Sequence, residues 1–220
     1  MPSNSDPVLI VGGGLAGLTT ALALARRGIE SRVLEGAPEF GAIGYGIQFG
    51  PNVFHVFDCI GVKDAVISKG DVPPALVMRD GITGSQLVRI PTGETFRTRF
   101  KYPYLIIHRV DLHNVLLDAC RHAPQIELVH DAMVTAFEDR IESVAVTTQD
   151  GREFVGPALI GADGIRSIVR SRLIADGEPR PIGYVAHRTI VPMEAVTANV
   201  DHNEVLLWGG PGFQIGRAHV

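Results

Sequence analysis

"VLIVGGGLAGLTTALALARRGIESRVLE", Val8 to Glu35, is the stretch whose reading decides the fold. Four apolar residues run straight into glycines, and the Leu-, Ala- and Thr-rich segment Leu15 to Arg27 then reads as a helix. Gly28 is its expected C-terminal cap, and "SRVLE", Ser31 to Glu35, is expected to be extended. Strand, glycine loop, helix, strand and acid in that order make a βαβ unit, the opening of a doubly wound sheet. Gly12, Gly14 and Gly17 keep the G-x-G-x-x-G spacing. The first makes the tight turn, the second lets a pyrophosphate approach the backbone, and the third allows close helix–strand packing. The helix start, at Leu15 and Ala16, offers free N–H groups to phosphate oxygens. Glu35 follows Gly12 by 23 positions (35 − 12), near the ~20-residue spacing of a ribose-binding acid. With strand, helix and acid in place the reading is a dinucleotide site, and a purely structural glycine turn is its alternative. An acid at Glu35 disfavours a 2′-phosphate, so the ligand class is FAD or NAD rather than NADP.

The chain has 220 residues, 45% of them hydrophobic and 20% charged, which suits one large domain or two small ones. A net charge of −4 offers no basic face, so neither nucleic acid nor an anionic membrane is an expected partner. No run reaches the ~18 apolar residues of a membrane span, and "MPSNSDP" lacks the basic start of a signal peptide. A cytoplasmic location is the expectation. Cys59 and Cys120 both sit among apolar residues and are expected to be buried free thiols. The histidines show no metal-binding spacing, and no metal is expected. His108 and His113, five apart, suit neither one helix face nor one face of a strand.

Beyond Glu35, Gly36 to Gly50 reads as glycine-rich loop and Asn52 to Gly61 as a short amphipathic helix. "ALVMRD", "SQLVRI" and "ETFRTRF" read as strands of an antiparallel insertion. Tyr104 to His108 is extended, and Asp111 is the expected cap of a helix carrying Leu112, Val115, Leu116 and Cys120 on one face. Short strands follow, with a hairpin turn at Asp150-Gly151. Ala158 to Ile160 is one more parallel strand, leading into "GADGIRSIVR". After Pro179, "GYVAHRTIV" and "NEVLLW" return to the antiparallel texture.

A glycine-rich "GAIGYGIQFGPN", an inserted antiparallel sheet and a return to the first sheet favour FAD over NAD. "GGGLAG…E", "GIQFGPN", "HRVDLHNVLL" and "GADGIRSIVR" together resemble the single-component FAD-dependent aromatic hydroxylases of the para-hydroxybenzoate hydroxylase type. "GYVAHRTIV" and "LWGGPG" are most similar to the branch of 3-hydroxybenzoate 6-hydroxylase and salicylate 1-hydroxylase. The resemblance runs over residues 8–213. It implies an α/β fold: a Rossmann-like FAD-binding domain with an antiparallel-sheet substrate domain inserted, the latter incomplete. The implied FAD-binding domain takes residues 1–72 and 102–178, and the partial substrate domain 73–101 and 179–213. The implied reaction hydroxylates a small phenolic aromatic acid with O₂ and NADH or NADPH, in a homodimer at full length. Epoxidases, halogenases and non-catalytic FAD-binding fragments share these loops and stay open as alternatives.

On the same resemblance, Asp163 and Gly164 lie near the pyrophosphate, although Asp-Gly alone reads as a turn. Arg109 is implied as a flavin phosphate or ribityl contact; the residues alone allow an arginine paired to a carboxylate. Gln48 is implied at the flavin, against an ordinary loop amide. Tyr104 is the candidate catalytic-site residue in the aromatic pocket, against an interdomain core tyrosine. Gly36 departs from the basic residue expected after the ribose acid. Nothing after Trp208 matches the family's second Gly-Asp loop, so the chain reads as the N-terminal half of an enzyme. "QIGRAHV", residues 214–220, leaves the family pattern abruptly, and Ile215 to Val220 spell one frame of a sequencing adapter. The expectation is a non-native tail that leaves "EVLLW" as an unpaired edge.

Overall fold

The computed structural model describes residues 6–41, 44–192, 195 and 203–218. In chain order, β1 (Val8–Val11), α1 (Leu15–Ala25) and β2 (Ser31–Leu34) come first. Next are β3 (Gly46–Phe49), α2 (Pro51–Ile60), α3 (Lys63–Lys69), β4 (Ala75–Asp80) and β5 (Gln86–Pro91). Then follow α4 (Glu94–Phe100), β6 (Leu105–His108), α5 (Arg109–Arg121) and β7 (Ile126–Val129). The chain continues through β8 (Val134–Arg140), β9 (Ser143–Thr148), β10 (Glu153–Gly156) and β11 (Leu159–Gly161). It closes with α6 (Ile168–Ile174), β12 (Val205–Gly210) and β13 (Phe213–Arg217). Two compact units result, one from residues 1–42 and 113–186 and the other from 43–112 and 187–220.

The first unit holds a parallel sheet in the order β11-β1-β2-β7. Its apolar runs are buried on both faces, as parallel strands require, with Leu9, Ile10 and Val33 fully enclosed. α1 covers one face through Leu18, Ala21 and Leu22, which recur at the helical spacing. The other side packs into a cluster of Leu9, Val11, Leu34, Val134, Val146 and Val169. Burying each such side chain contributes about 1.5–3 kcal/mol. β8, β9 and β10 form an antiparallel meander, with Gly151 at φ +84° in the turn between β9 and β10. Cys120 is buried here and its thiol lies 3.6 Å from the Leu18 carbonyl oxygen; burial pushes its pKa up to about 12.

The second unit pairs β3 with β6 antiparallel and builds a separate four-stranded sheet, β13-β12-β4-β5. α2 buries Phe54, Phe57 and Ile60 on one face and stops at Gly61, which takes the left-handed conformation (φ +78°). Cys59, on the opposite side of α2, is exposed, so the expectation of two buried thiols holds only for Cys120.

Further expectations change. "ETFRTRF" is the helix α4, in which Phe96 and Phe100 meet one turn apart with ring centroids at 4.7 Å. Asp111 lies inside the first turn of α5, whose first residue is Arg109, so it faces the helix dipole favourably without being the cap. "GYVAHRTIV" forms no strand; its residues are exposed and join no ladder among the described residues. The inserted sheet is mixed, since β12 runs parallel to β4 while β4–β5 and β12–β13 are antiparallel. β12 therefore has partners on both sides and is no open edge, and Gln214 to Arg217 of the expected tail lie in β13. Residues 219 and 220 of that tail lie outside the described residues.

Candidate functional site

Because β1, β2 and β11 are parallel, their C-terminal ends open at one edge of the sheet, where doubly wound folds bind ligands. The loops there surround a cavity of about 500 Å³. Gly12, Gly14, Glu35, Gly36, Asp163 and Gly164 line it, with Arg166 and an apolar wall that includes Leu34, Met133, Val134 and Ile168. Six positions singled out in the sequence thus share one cavity, within one unit of the chain.

The three fingerprint glycines are glycine for different reasons. A Cβ on Gly12 would meet the Ala162 carbonyl carbon at 2.7 Å, and its φ of +104° suits glycine in any case. A Cβ on Gly17 would run into the Gly12 carbonyl oxygen, since helix and turn are in backbone contact there. A Cβ on Gly14 would meet nothing within 4 Å. No atom of the described residues demands glycine at that position, and it borders the cavity.

Gly14 is also the residue from which α1 starts, with Leu18 N–H bonded to its carbonyl at 3.0 Å. Leu15, Ala16 and Gly17 have no carbonyl four residues back within the helix, so their N–H groups are available to an anion. Glu35 extends from the end of β2 into the same loop. Its carboxylate accepts from Gly13 N–H at 2.7 Å and from Ala37 N–H at 2.9 Å. Each oxygen accepts only one of these bonds and keeps a lone pair for a hydroxyl.

Asp163 does something the sequence did not suggest. Its carboxylate accepts the Ser167 hydroxyl on one oxygen, and on the other the N–H of Ile168 at 2.8 Å and of Val169 at 3.4 Å. Ser167 in turn accepts from Arg170 N–H at 2.9 Å. Together they satisfy the free donors at the start of α6. Replacing Asp163 with alanine is therefore expected to lower stability by about 1–2 kcal/mol, read as a shift in thermal melting without added cofactor. An unshifted melt would show that the cap is dispensable. Arg166 faces the cavity, whereas Arg170 is engaged with the Ile165 carbonyl at 3.0 Å and Asp176 at 3.5 Å.

The remaining candidates lie in the second unit. Tyr104 precedes β6, and its hydroxyl donates to Gln48 Oε1, on β3, at 2.6 Å. Burial pushes the Tyr104 phenol up, which keeps it a donor through neutral pH. Arg109 begins α5, and its aliphatic stem packs where a Cβ on Gly44 would sit, 2.6 Å from its Cδ. A second cavity, of about 400 Å³, is mainly apolar; Leu76, Val77, Met78, Ile90 and Leu206 line it together with Gln48. Tyr104 does not line it. Among the described residues no group of His, Cys, Asp and Glu is placed to hold a metal, and no helix is long and apolar enough to cross a membrane.

This cavity and its loops are those of a dinucleotide-binding α/β domain. Residues 5–209 match the FAD binding domain family, and the chain belongs to it. It is 43% identical over 205 residues to the 3-hydroxybenzoate 6-hydroxylase of Polaromonas naphthalenivorans, covering 93% of this chain and 51% of that protein. The 3-amino-4-hydroxybenzoate 2-monooxygenase of Streptomyces cremeus is 36% identical, again over 93% of this chain and 51% of the relative. The chain spans about half the length of the curated relatives it matches. A Klebsiella pneumoniae HpxO variant complexed with FAD shares the fold, with a TM-score of 0.75 at 22% identity over 96% of this chain and 53% of that one. A tetrameric 2-methyl-3-hydroxypyridine-5-carboxylic acid oxygenase is similar at TM-score 0.64 and 27% identity, over 75% of this chain and 41% of the other.

Proposed function

We propose that the cavity around Gly14 holds the adenosine and pyrophosphate of FAD, in a chain that serves hydroxylation of a phenolic aromatic acid. The observation that carries this is the open space at Gly14 between the start of α1 and the Glu35 carboxylate. Pyrophosphate oxygens would take the N–H groups at Leu15, Ala16 and Gly17, and ribose hydroxyls would donate to Glu35. Asp163 and Gly164 would border the pyrophosphate. When bound, FAD supplies the redox chemistry that takes electrons from NADH or NADPH and places one oxygen atom of O₂ on an electron-rich ring.

The second unit contributes the remaining proposals. Gln48 and Arg109 are further cofactor-binding residues on the motif resemblance, and Tyr104 is the aromatic-site candidate, acting through the Gln48 amide that its hydroxyl holds. The apolar cavity of about 400 Å³ is of a size to enclose a benzoate-like ring, which supports the substrate class. The functional division we propose assigns residues 1–72 and 102–178 to the cofactor and 73–101 and 179–213 to the substrate. A homodimer in the cytoplasm completes the reading.

Extended to the length of its relatives, the purified protein should be yellow, with flavin released by acid. A colourless chain that cannot be reconstituted with FAD and instead binds NAD tightly would overturn the cofactor assignment. Extended to the length of its relatives, the protein should consume O₂ with NADH or NADPH, faster with 3-hydroxybenzoate or salicylate present. Glu35→Ala should lose FAD on dialysis with an affinity about 10-fold or more below the parent, since a charged hydrogen bond contributes about 1.5–3 kcal/mol. Unchanged flavin content would make Glu35 a loop anchor only.

A further inference from the structure

His113 is buried in α5, 1% exposed, with its Nε2 2.9 Å from the carbonyl oxygen of Gly13. A carbonyl can only accept, so the imidazole donates, and Nε2 carries the hydrogen. That leaves Nδ1 as a buried nitrogen without a hydrogen-bond partner among the described residues. An unpaired buried acceptor is destabilising, and a leucine would fill much of the same space without it. Packing alone does not account for a histidine here.

Gly13, the residue between the first two fingerprint glycines, is tied at both ends. Its N–H goes to Glu35 at 2.7 Å and its carbonyl to His113 at 2.9 Å. In a trans peptide the carbonyl of one residue and the N–H of the next point in opposite directions. Holding the Gly13 carbonyl against α5 therefore fixes where the Gly14 N–H points. We infer that His113 is a positioning residue for the cofactor loop: it holds the peptide plane so that the Gly14 N–H is presented to the cavity as a phosphate donor. This rests on the FAD reading above. Glu35 fixes the other end of the same residue, so the cradle is set before any ligand arrives, and binding need not include the entropy of ordering it.

The test is FAD titration, followed by flavin fluorescence, of the chain and of H113L, H113Q and H113N, with a thermal melt of each. H113L should melt within a few degrees of the parent yet bind FAD about 10-fold more weakly. H113Q, whose amide nitrogen reaches as far as Nε2, should stay within about 3-fold of the parent. H113N, whose nitrogen falls at the Nδ1 position, should resemble H113L. If H113L does not fold, the Gln and Asn variants decide between them. Equal affinities in Gln and Asn variants, or parental affinity in H113L, overturn the inference while leaving the FAD reading intact. A parent chain that binds no FAD overturns both.

Discussion

Gly14→Ala should leave the chain folded and take away its FAD. The backbone at Gly14, φ −76° and ψ −174°, is one that alanine adopts freely, and the added Cβ would meet nothing within 4 Å. Stability should hold or rise slightly, because alanine restricts the unfolded chain by about 0.4–1 kcal/mol relative to glycine. The methyl group instead stands in space the ligand needs. A phosphate oxygen must come to about 2.9 Å from a backbone nitrogen to bond it, whereas a methyl carbon keeps its neighbours at about 3.5–4 Å. Affinity for FAD should fall about 100-fold or more, equivalent to roughly 2.7 kcal/mol. Flavin absorbance per chain and the melting temperature, measured on one preparation, give both halves of the result. Parental flavin content in this variant would place the pyrophosphate elsewhere.

Three residues along, Gly17→Ala should do the reverse. Its Cβ would press on the Gly12 carbonyl oxygen and lie 3.1 Å from the Gly12 carbonyl carbon. Both are backbone atoms at a turn fixed by the bond from Gly12 N–H to the Leu34 carbonyl at 2.9 Å, so no flexible side chain can yield. Overpacking costs about 1–3 kcal/mol where side chains can rearrange, and this position belongs at the upper end or above. At about 2–4 °C per kcal/mol for a chain of this size, the melt should drop by roughly 6–12 °C. Flavin should be lost as a consequence of the displaced helix. A melt unchanged by the substitution would mean that α1 can lift off the turn at little expense.

The βαβ opening was legible because every level agreed: apolar runs, glycine spacing, a helix rich in Leu and Ala and an acid at the strand end. Glu35 and Gly14 were recognisable for the same reason, Asp163 only through the family resemblance, and one cavity now holds the three together. "ETFRTRF" misled because Thr, Phe and Arg in alternation fit a strand. The helix signals were present too, in Phe96 and Phe100 four apart, Glu94 in the first turn and Arg97 and Arg99 in the last. "GYVAHRTIV" has strand composition but joins no ladder among the described residues, and a strand exists only as part of a ladder. His113 could not be found by spacing at all. Its partner lies 100 positions away and is a backbone carbonyl, which leaves no trace in side-chain pattern.

The parallel pairing of β1 with β11 sets Leu9 beside Leu159, so the walls of the cavity come from opposite ends of a long excursion of the chain. Closing so large a loop is entropically unfavourable and is rewarded only when the final strand docks. The Asp163 segment follows that strand directly, and the cap on α6 cannot form around the cavity until it is in place. The proposed cofactor cavity is therefore expected to assemble late in folding, after the meander between β8 and β10, whose strands are near neighbours in sequence, has had time to form. A nascent or partly folded chain offers the Gly12–Gly17 turn without its opposite wall, and retained flavin would report that the pairing of Leu9 with Leu159, 150 positions apart (159 − 9), has been made.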